Sequence, residues 1–214
     1  MQNFYQNQPV LVTGGAGFIG SHVTELLVQA GASVTVLDNL STGTRDNLTT
    51  VSNQIKLLIQ DLRDFPALLN LLQQQQFSAI FHLAAATSVP ESQLDPVLYH
   101  EINVTGTLNL LTALQQVNAQ QTRLIFSSSS AVYGQRHDLC RETDACAPTS
   151  VYGLSKLIGE QYCQLFSQSF SLPTICLRYF NVYGPRQNPA GAYAGVYAKF
   201  QHSLAHNLPI TIYG

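Results

Sequence analysis

Short apolar runs alternate with longer stretches of helical periodicity along the whole chain. The runs at 10–13, 33–38, 55–60, 79–83, 123–127 and 174–178 are nearly continuous in Val, Ile, Leu and Phe. Strands with one wet face alternate apolar and polar side chains, so continuous runs predict strands covered on both faces. Between them, residues 19–30, 66–75, 96–118 and 150–170 predict helices. Asp64 with Pro66, and Asp95 with Pro96, combine a capping carboxylate with a proline whose missing N–H is no loss in a first turn. Gly31 follows the first helix as a C-cap, and the glutamines at 73–76 read as a solvated helix end. Strand, helix and strand repeated with short connections predict an α/β fold built on a doubly wound parallel sheet.

Composition narrows what such a fold does here. At 214 residues the chain can bury a real core, as one large domain or two small ones. Ten basic residues against twelve acidic ones leave a formal charge of −2, which offers nucleic acid no electrostatic footprint. Charged residues make up only 10%, and 21 Gln with 12 Asn supply the polar surface instead. No apolar run approaches the roughly 20 residues of a membrane helix. The polar start at 1–8 carries no secretory pattern, so the expectation is a cytoplasmic protein without a membrane partner. Cys140, Cys146, Cys163 and Cys176 show neither CxxC pairing nor zinc spacing. They read as small buried hydrophobes in a reducing compartment, and no metal is expected.

Three constellations carry chemistry. The first strand runs directly into Thr13-Gly14-Gly15-Ala16-Gly17-Phe18-Ile19-Gly20. Gly14, Gly17 and Gly20 recur at three-residue intervals between strand and helix, which suits a tight turn, close approach of a pyrophosphate, and close helix–strand packing. The helix start adds free amides and the positive end of a dipole. Taken alone, such a triplet is equally a packing turn. Asp38 shifts the balance: it ends the second strand, 18 residues beyond Gly20. A carboxylate there accepts from the adenosine ribose hydroxyls and repels a 2′-phosphate. NAD is favoured, and Arg45 nearby keeps NADP open. Next, Tyr152 and Lys156 stand four residues apart and share a helix face. A phenol titrating near pH 10 must drop by roughly 3 units, or about 4 kcal/mol, to act as a base near neutrality. One ammonium at about 4 Å and an effective dielectric near 20 supplies about that much. The spacing by itself is also that of an ordinary exposed helix pair. Finally, the serines at 127–130 leave the end of a central strand, where open α/β sheets bind ligands, and they read equally as a Ser-rich loop.

In order along the chain, TGGAGFIGSH, LDNLSTG, QDLRD, HLAA with SVPES, NVTGTLNLL, FSSSSAVYG, SVYGLSK and LRYFNVYGPRQ span residues 10 to 187. Together they resemble the extended short-chain dehydrogenase/reductase family, most closely its nucleotide-sugar 4-epimerases. The resemblance implies a Rossmann domain over 1–180, an incomplete substrate-binding segment over 181–214, NAD as cofactor and a UDP-hexose as substrate. It implies a cofactor held by Gly14, Gly15, Gly17, Phe18, Ile19 and Gly20 at the diphosphate. Asp38 and Asn39 meet the adenosine ribose, and Asp61 and Leu62 the adenine. Leu83, Ala84 and Ala85 line the nicotinamide side, with Asn103, Ser127 and Tyr179 close by. Ser129 matches the catalytic serine, Tyr152 the base, and Lys156 the residue that holds the nicotinamide ribose. Phe180 packs at the nicotinamide, and Ser88, Ser129, Tyr152, Asn181 and Tyr213 face the sugar nucleotide. His82 reads as a core histidine at a strand end.

The implied reaction removes the 4-hydroxyl proton through Tyr152, passes hydride from C4 to NAD, turns the 4-keto sugar over and returns hydride to its other face. Dehydratases and decarboxylases of the family carry an acidic residue just after the catalytic serine, where this chain has Ser130 and Ala131. That departure favours epimerisation over dehydration. A reductase of the family and an NAD-binding protein without turnover are the remaining alternatives. The helices at 96–118 and 150–170 have more apolar positions than one buried stripe requires, and the resemblance implies a homodimer through them. Residues 191–207 predict a helix carrying Lys199. Because the sequence stops at Gly214, before the strands and helices that close over the sugar, the expectation is NAD binding with weak UDP-sugar binding and poor turnover.

Overall fold

A computed structural model describes residues 4–136, 138–187, 200 and 203–210. Six parallel strands form one sheet: β1 Pro9–Thr13, β2 Ser33–Asp38, β3 Ile55–Ile59, β4 Ala79–His82, β5 Arg123–Ser129 and β6 Thr174–Tyr179. Their spatial order is β3-β2-β1-β4-β5-β6, so the chain winds outward in both directions from a crevice between β1 and β4. Successive side chains of a strand point to opposite faces. Leu11 therefore joins a core with Leu68, Leu110, Leu114 and Phe166, while Val10 and Val12 join a second core with Leu27 and Leu48.

The first core lies under α2 (Phe65–Gln74), α5 (Gly106–Gln116) and α6 (Val151–Phe170). The second lies under α1 (Phe18–Gln29) and a 3-10 turn at Arg45–Val51. Asp64 caps α2 by accepting from the Ala67 amide at 3.2 Å, with Pro66 in the first turn. The six strands, α1, α2 and α6 agree with the sequence reading to within a few residues. The sheet departs from it at both edges. Lys56 and Ile59 of β3 are exposed, and so are Ile175 and Leu177 of β6, which alternate with the inward-facing Cys176 and Arg178. Coverage on both faces thus holds for the central strands only. At β6 the described helices cover one face, the one against α6.

The expected single helix over 96–118 is also subdivided. It runs as α4 (Pro96–His100), a wider π-helical turn at Glu101–Thr105, then α5. Before it, the reading missed α3 (Val89–Leu94), whose N-cap Ser88 accepts from the Glu91 amide. The Ser-x-x-Glu spacing at 88–91 is a capping-box signature that would have found it. Of the helix expected over 191–207, Phe200 and residues 203–205 are helical, and 191–199, including Lys199, lie outside the described residues. Tyr213 lies outside them as well.

Candidate active site

At the carboxyl end of β1 the chain turns through Gly14 at φ +71°, a left-handed conformation that favours glycine. Its amide donates to the Leu37 carbonyl at 2.8 Å, and a Cβ there would stand 2.6 Å from the Ala84 nitrogen. At Gly20 a Cβ would run into the Gly14 carbonyl oxygen, so the turn and the first helical turn pack with no room for a side chain. No side chain caps α1, which begins on the backbone of Gly17. The amides of Phe18, Ile19 and Gly20 are thus orphan donors at the positive end of a twelve-residue helix, a fitting cradle for a diphosphate.

Asp38, 7% exposed, braces this turn from β2. One carboxylate oxygen accepts from the Ala16 amide at 2.9 Å and the other from the Leu40 amide at 2.8 Å. Each oxygen keeps a lone pair for a ribose hydroxyl. Asn39 donates to Asp61 at 2.8 Å, which joins the ends of β2 and β3. Asp61 is gripped by Arg63 through Nε at 3.0 Å and Nη2 at 2.9 Å, and this holds its carboxyl well below the usual carboxylate range. Arg63 continues to Glu101 at 3.5 Å, and Asn109 donates to the Leu62 carbonyl at 3.0 Å. The adenosine side expected from sequence is therefore one assembly, with Arg63 as a member that sequence reasoning missed.

Across the crevice, Leu83 and Ala84 hang from Thr13, the first by its amide to the Thr13 carbonyl at 3.0 Å, the second to the hydroxyl at 3.3 Å. Asn103, 2% exposed at the centre of the π-helical turn, takes the Ala86 amide at 2.8 Å and donates to its carbonyl at 2.9 Å. Both bonds need the side chain to point at the loop. The extra residue in the turn is the local price of that aim.

Tyr152 and Lys156 sit in the first two turns of α6, which Ser150 caps by accepting from the Gly153 amide at 3.0 Å. Ser129 arrives at the end of β5, where its hydroxyl accepts from the Ala131 amide at 3.1 Å and stands near enough to the Tyr152 phenol to act on it. Serine and tyrosine thus stand side by side. The proton balance differs from expectation. Burial pushes the phenol above its ordinary value, and Ser129 alone pulls the other way. The Lys156 ammonium is engaged elsewhere: it donates to the Ser127 carbonyl at 2.9 Å and lies over the Phe126 ring at 5.2 Å. Burial takes the ammonium itself down to about 8.

Behind these groups, Arg178 binds Glu160 through both carboxylate oxygens, at 2.9 and 2.7 Å. It also donates to the Tyr133 hydroxyl at 2.9 Å and stacks on that ring at 4.8 Å. Ser128 reaches Glu160 at 2.5 Å, so one ion pair ties β5, β6, α6 and the 3-10 turn at Ser130–Tyr133. A charged pair on two elements that read as apolar in sequence had no local signal. Tyr179 is half-buried at the end of β6, while Phe180 is exposed and packs on Tyr133 with ring centroids 6.4 Å apart. Asn181 is exposed with no hydrogen bond described. Ser88 donates from its amide to the Tyr99 hydroxyl at 2.9 Å. Among the described residues, no cluster of His, Cys, Asp and Glu is gathered to hold a metal, and no helix is long and apolar enough to cross a membrane. A cleft of about 200 Å³ between the carboxyl ends of α5 and α6 lies at the opposite end of the strands and contains none of these side chains.

A doubly wound sheet, a glycine turn backed by a strand-end aspartate, and a Ser–Tyr contact with a lysine one helical turn on define a Rossmann-type dinucleotide-binding protein. The profile of the NAD dependent epimerase/dehydratase family matches residues 10–214, and the chain belongs to that family. It is 37% identical over 207 residues to a putative UDP-glucose 4-epimerase of Methanocaldococcus jannaschii, covering 96% of this chain and 66% of that protein. Among solved structures, a UDP-N-acetylglucosamine 4-epimerase from Methanobrevibacter ruminantium, in complex with UDP-N-acetylmuramic acid, superposes with TM-score 0.91 at 38% identity. That match covers 98% of this chain and 66% of the other. A Thermus thermophilus UDP-glucose 4-epimerase in complex with NAD gives TM-score 0.87 at 42% identity, covering 96% and 65%. The chain spans just under two thirds of the length of each.

Proposed function

We propose that this chain carries the NAD site and the acid–base groups of a UDP-hexose 4-epimerase. One observation carries the reading: Ser129 on β5 and Tyr152 on α6 stand together at the carboxyl ends of the strands, the end of the sheet from which the uncapped, glycine-lined α1 starts. The diphosphate of NAD fits the amides of Phe18 to Gly20, its adenosine ribose fits Asp38 and Asn39, and its adenine fits Asp61 and Leu62. Bound there, NAD supplies uptake and return of a hydride at C4 of the sugar. Tyr152 takes the 4-hydroxyl proton and gives it back, and Ser129 orients that hydroxyl against the phenol. Lys156 holds the nicotinamide ribose with the ammonium that now serves the Ser127 carbonyl. Leu83, Ala84, Ala85 and Tyr179 line the nicotinamide side, and residues from 181 onward, with Ser88, face the sugar nucleotide. Ser130 and Ala131 offer no carboxyl for dehydration.

The test is a screen for C4 interconversion of UDP-glucose, UDP-N-acetylglucosamine and UDP-glucuronate with their epimers. Interconversion that disappears in Tyr152→Phe, with NAD affinity kept, supports the reading. Turnover above a few per cent in that variant removes Tyr152 as the base. NAD binding without interconversion of any pair makes the chain a cofactor-binding protein only.

A homodimer belongs to the same proposal. Leu94 and Val97 before the π-helical turn, and Leu154 and Leu165 on α6, are 85%, 66%, 48% and 51% exposed, an apolar surface on adjoining helices. Sedimentation as a monomer at micromolar concentration would remove it.

A further inference from the structure

His82 is a titratable side chain that the proposed reaction leaves without a part, buried to 1% exposure between the two halves of the site. Its Nδ1 lies 2.7 Å from the Thr13 hydroxyl on β1, and its Nε2 lies 2.9 Å from the Thr107 hydroxyl on α5. Hydroxyls donate or accept, so the two contacts alone leave the proton's position open. The ends of the chain close that question. At one end the Ala84 amide, which only donates, reaches the Thr13 oxygen at 3.3 Å. At the other, Thr107 gives its own proton to the Asn103 carbonyl, which only accepts, at 2.6 Å. Thr107 must then accept from the imidazole, which puts the histidine proton on Nε2. Nδ1 is left with a lone pair, and Thr13 donates to it.

Every bond thus runs one way, from Ala84 through Thr13, His82 and Thr107 to Asn103. Neutral imidazole offers a ring donor at one end and a ring acceptor at the other, which is what a gap between two hydroxyls requires. A cation would place two donors there, leaving the Thr13 proton without its acceptor. Burial and the Lys156 ammonium both favour the neutral form and hold its pKa at about 3. The connection does not stop at Asn103. Its side chain, besides holding Ala86, donates to the Ser155 hydroxyl at 3.0 Å, and Ser155 donates to the Tyr152 carbonyl at 2.7 Å.

We propose that His82 is a positioning residue, an Nε2-protonated neutral imidazole that sets the spacing between the dinucleotide turn at Thr13 and the helix that carries Tyr152 and Lys156. The inference rests on the proposed NAD site, because a cofactor lying across both elements feels that spacing. A histidine that merely filled the core would give neither a fixed polarity nor an effect on cofactor binding.

Two measurements decide it. In nitrogen-15 spectra of the wild-type protein, Nε2 of His82 should carry the proton and Nδ1 should not, unchanged from pH 5 to pH 9. A proton on Nδ1, or a titration inside that range, overturns the proposal and requires no variant to fold. In NAD titrations, Thr107→Val should weaken binding at least tenfold, Thr107→Ser should restore it to within about twofold, and Ile80→Val, a core change in the same strand as His82, should lower the melting temperature and leave binding unchanged. If Ile80→Val weakens NAD as much as Thr107→Val, or if Thr107→Val binds NAD like wild type, the role is structural and the proposal falls. Wild-type protein that binds no NAD instead overturns the proposed function.

Discussion

On the β1–β2 side of the site the geometry is set by backbone. A left-handed glycine, carbonyls too close for any Cβ, and amides accepted by Asp38 fix the turn. On the β5–β6 side it is set by side chains reaching across elements, with Glu160, Arg178 and Tyr133 behind and Ser129, Tyr152 and Lys156 in front. The two sides therefore fail differently. The first is chiefly steric, and the second is electrostatic and depends on burial.

The largest expected effect strikes the electrostatic side. Glu160→Ala leaves the Arg178 guanidinium, whose side chain is 20% exposed, without its carboxylate. Breaking a buried pair costs about 3–5 kcal/mol, and partial exposure places this one toward the lower end. Urea unfolding should show the loss, and a cost below about 1 kcal/mol would return Glu160 to an ordinary surface role. On the steric side, Gly20→Ala should abolish NAD binding and cost about 1–3 kcal/mol by overpacking. Calorimetric titration reads the first and thermal unfolding the second, and retained binding would mean that the turn has room the structure denies it.

A third prediction turns on pH. His82 titrates near 6.5 unfolded and near 3 folded, so between those values the unfolded chain binds the extra proton. Stability should be full above about pH 6.5 and fall as the pH is lowered toward 3. Lys156, near 10.5 unfolded and about 8 folded, adds stability as pH rises through that interval. Melting temperatures from pH 4 to pH 10 should show both slopes. Lys156→Met should flatten the alkaline one, and an unaltered alkaline slope in that variant would remove the lysine as its source.

This contrast also divides what could be read from the sequence. Backbone requirements leave a mark in residue type: the glycines at 14, 17 and 20, Asp38 at a strand end, and proline after Asp95 were all legible, as were the positions of the six strands, of which only the central ones bury their apolar runs on both faces. Tyr152 and Lys156 on one helix face followed from a spacing of four. The partner each side chain chooses left no such mark. Lys156 turns to Ser127, 29 positions away, and Thr13 meets His82 across 69. Polar Ser128 and Ser129 extend β5 beyond its apolar run, because they pair with Arg178 and Tyr179 of β6.

The π-helical turn at Glu101–Thr105 has a consequence for how this chain tolerates length changes. One residue in an α-helix is a rotation of about 100°, and the turn absorbs one such residue between α4 and α5. A single deletion within it would relax the bonding to ordinary α-helix. It would also swing Asn103 off Ala86, or else carry Leu110, Leu111 and Leu114 out of the core by the same angle. An irregularity that looks like slack is therefore a vernier, setting the phase of a buried face and of a loop-holding side chain at once.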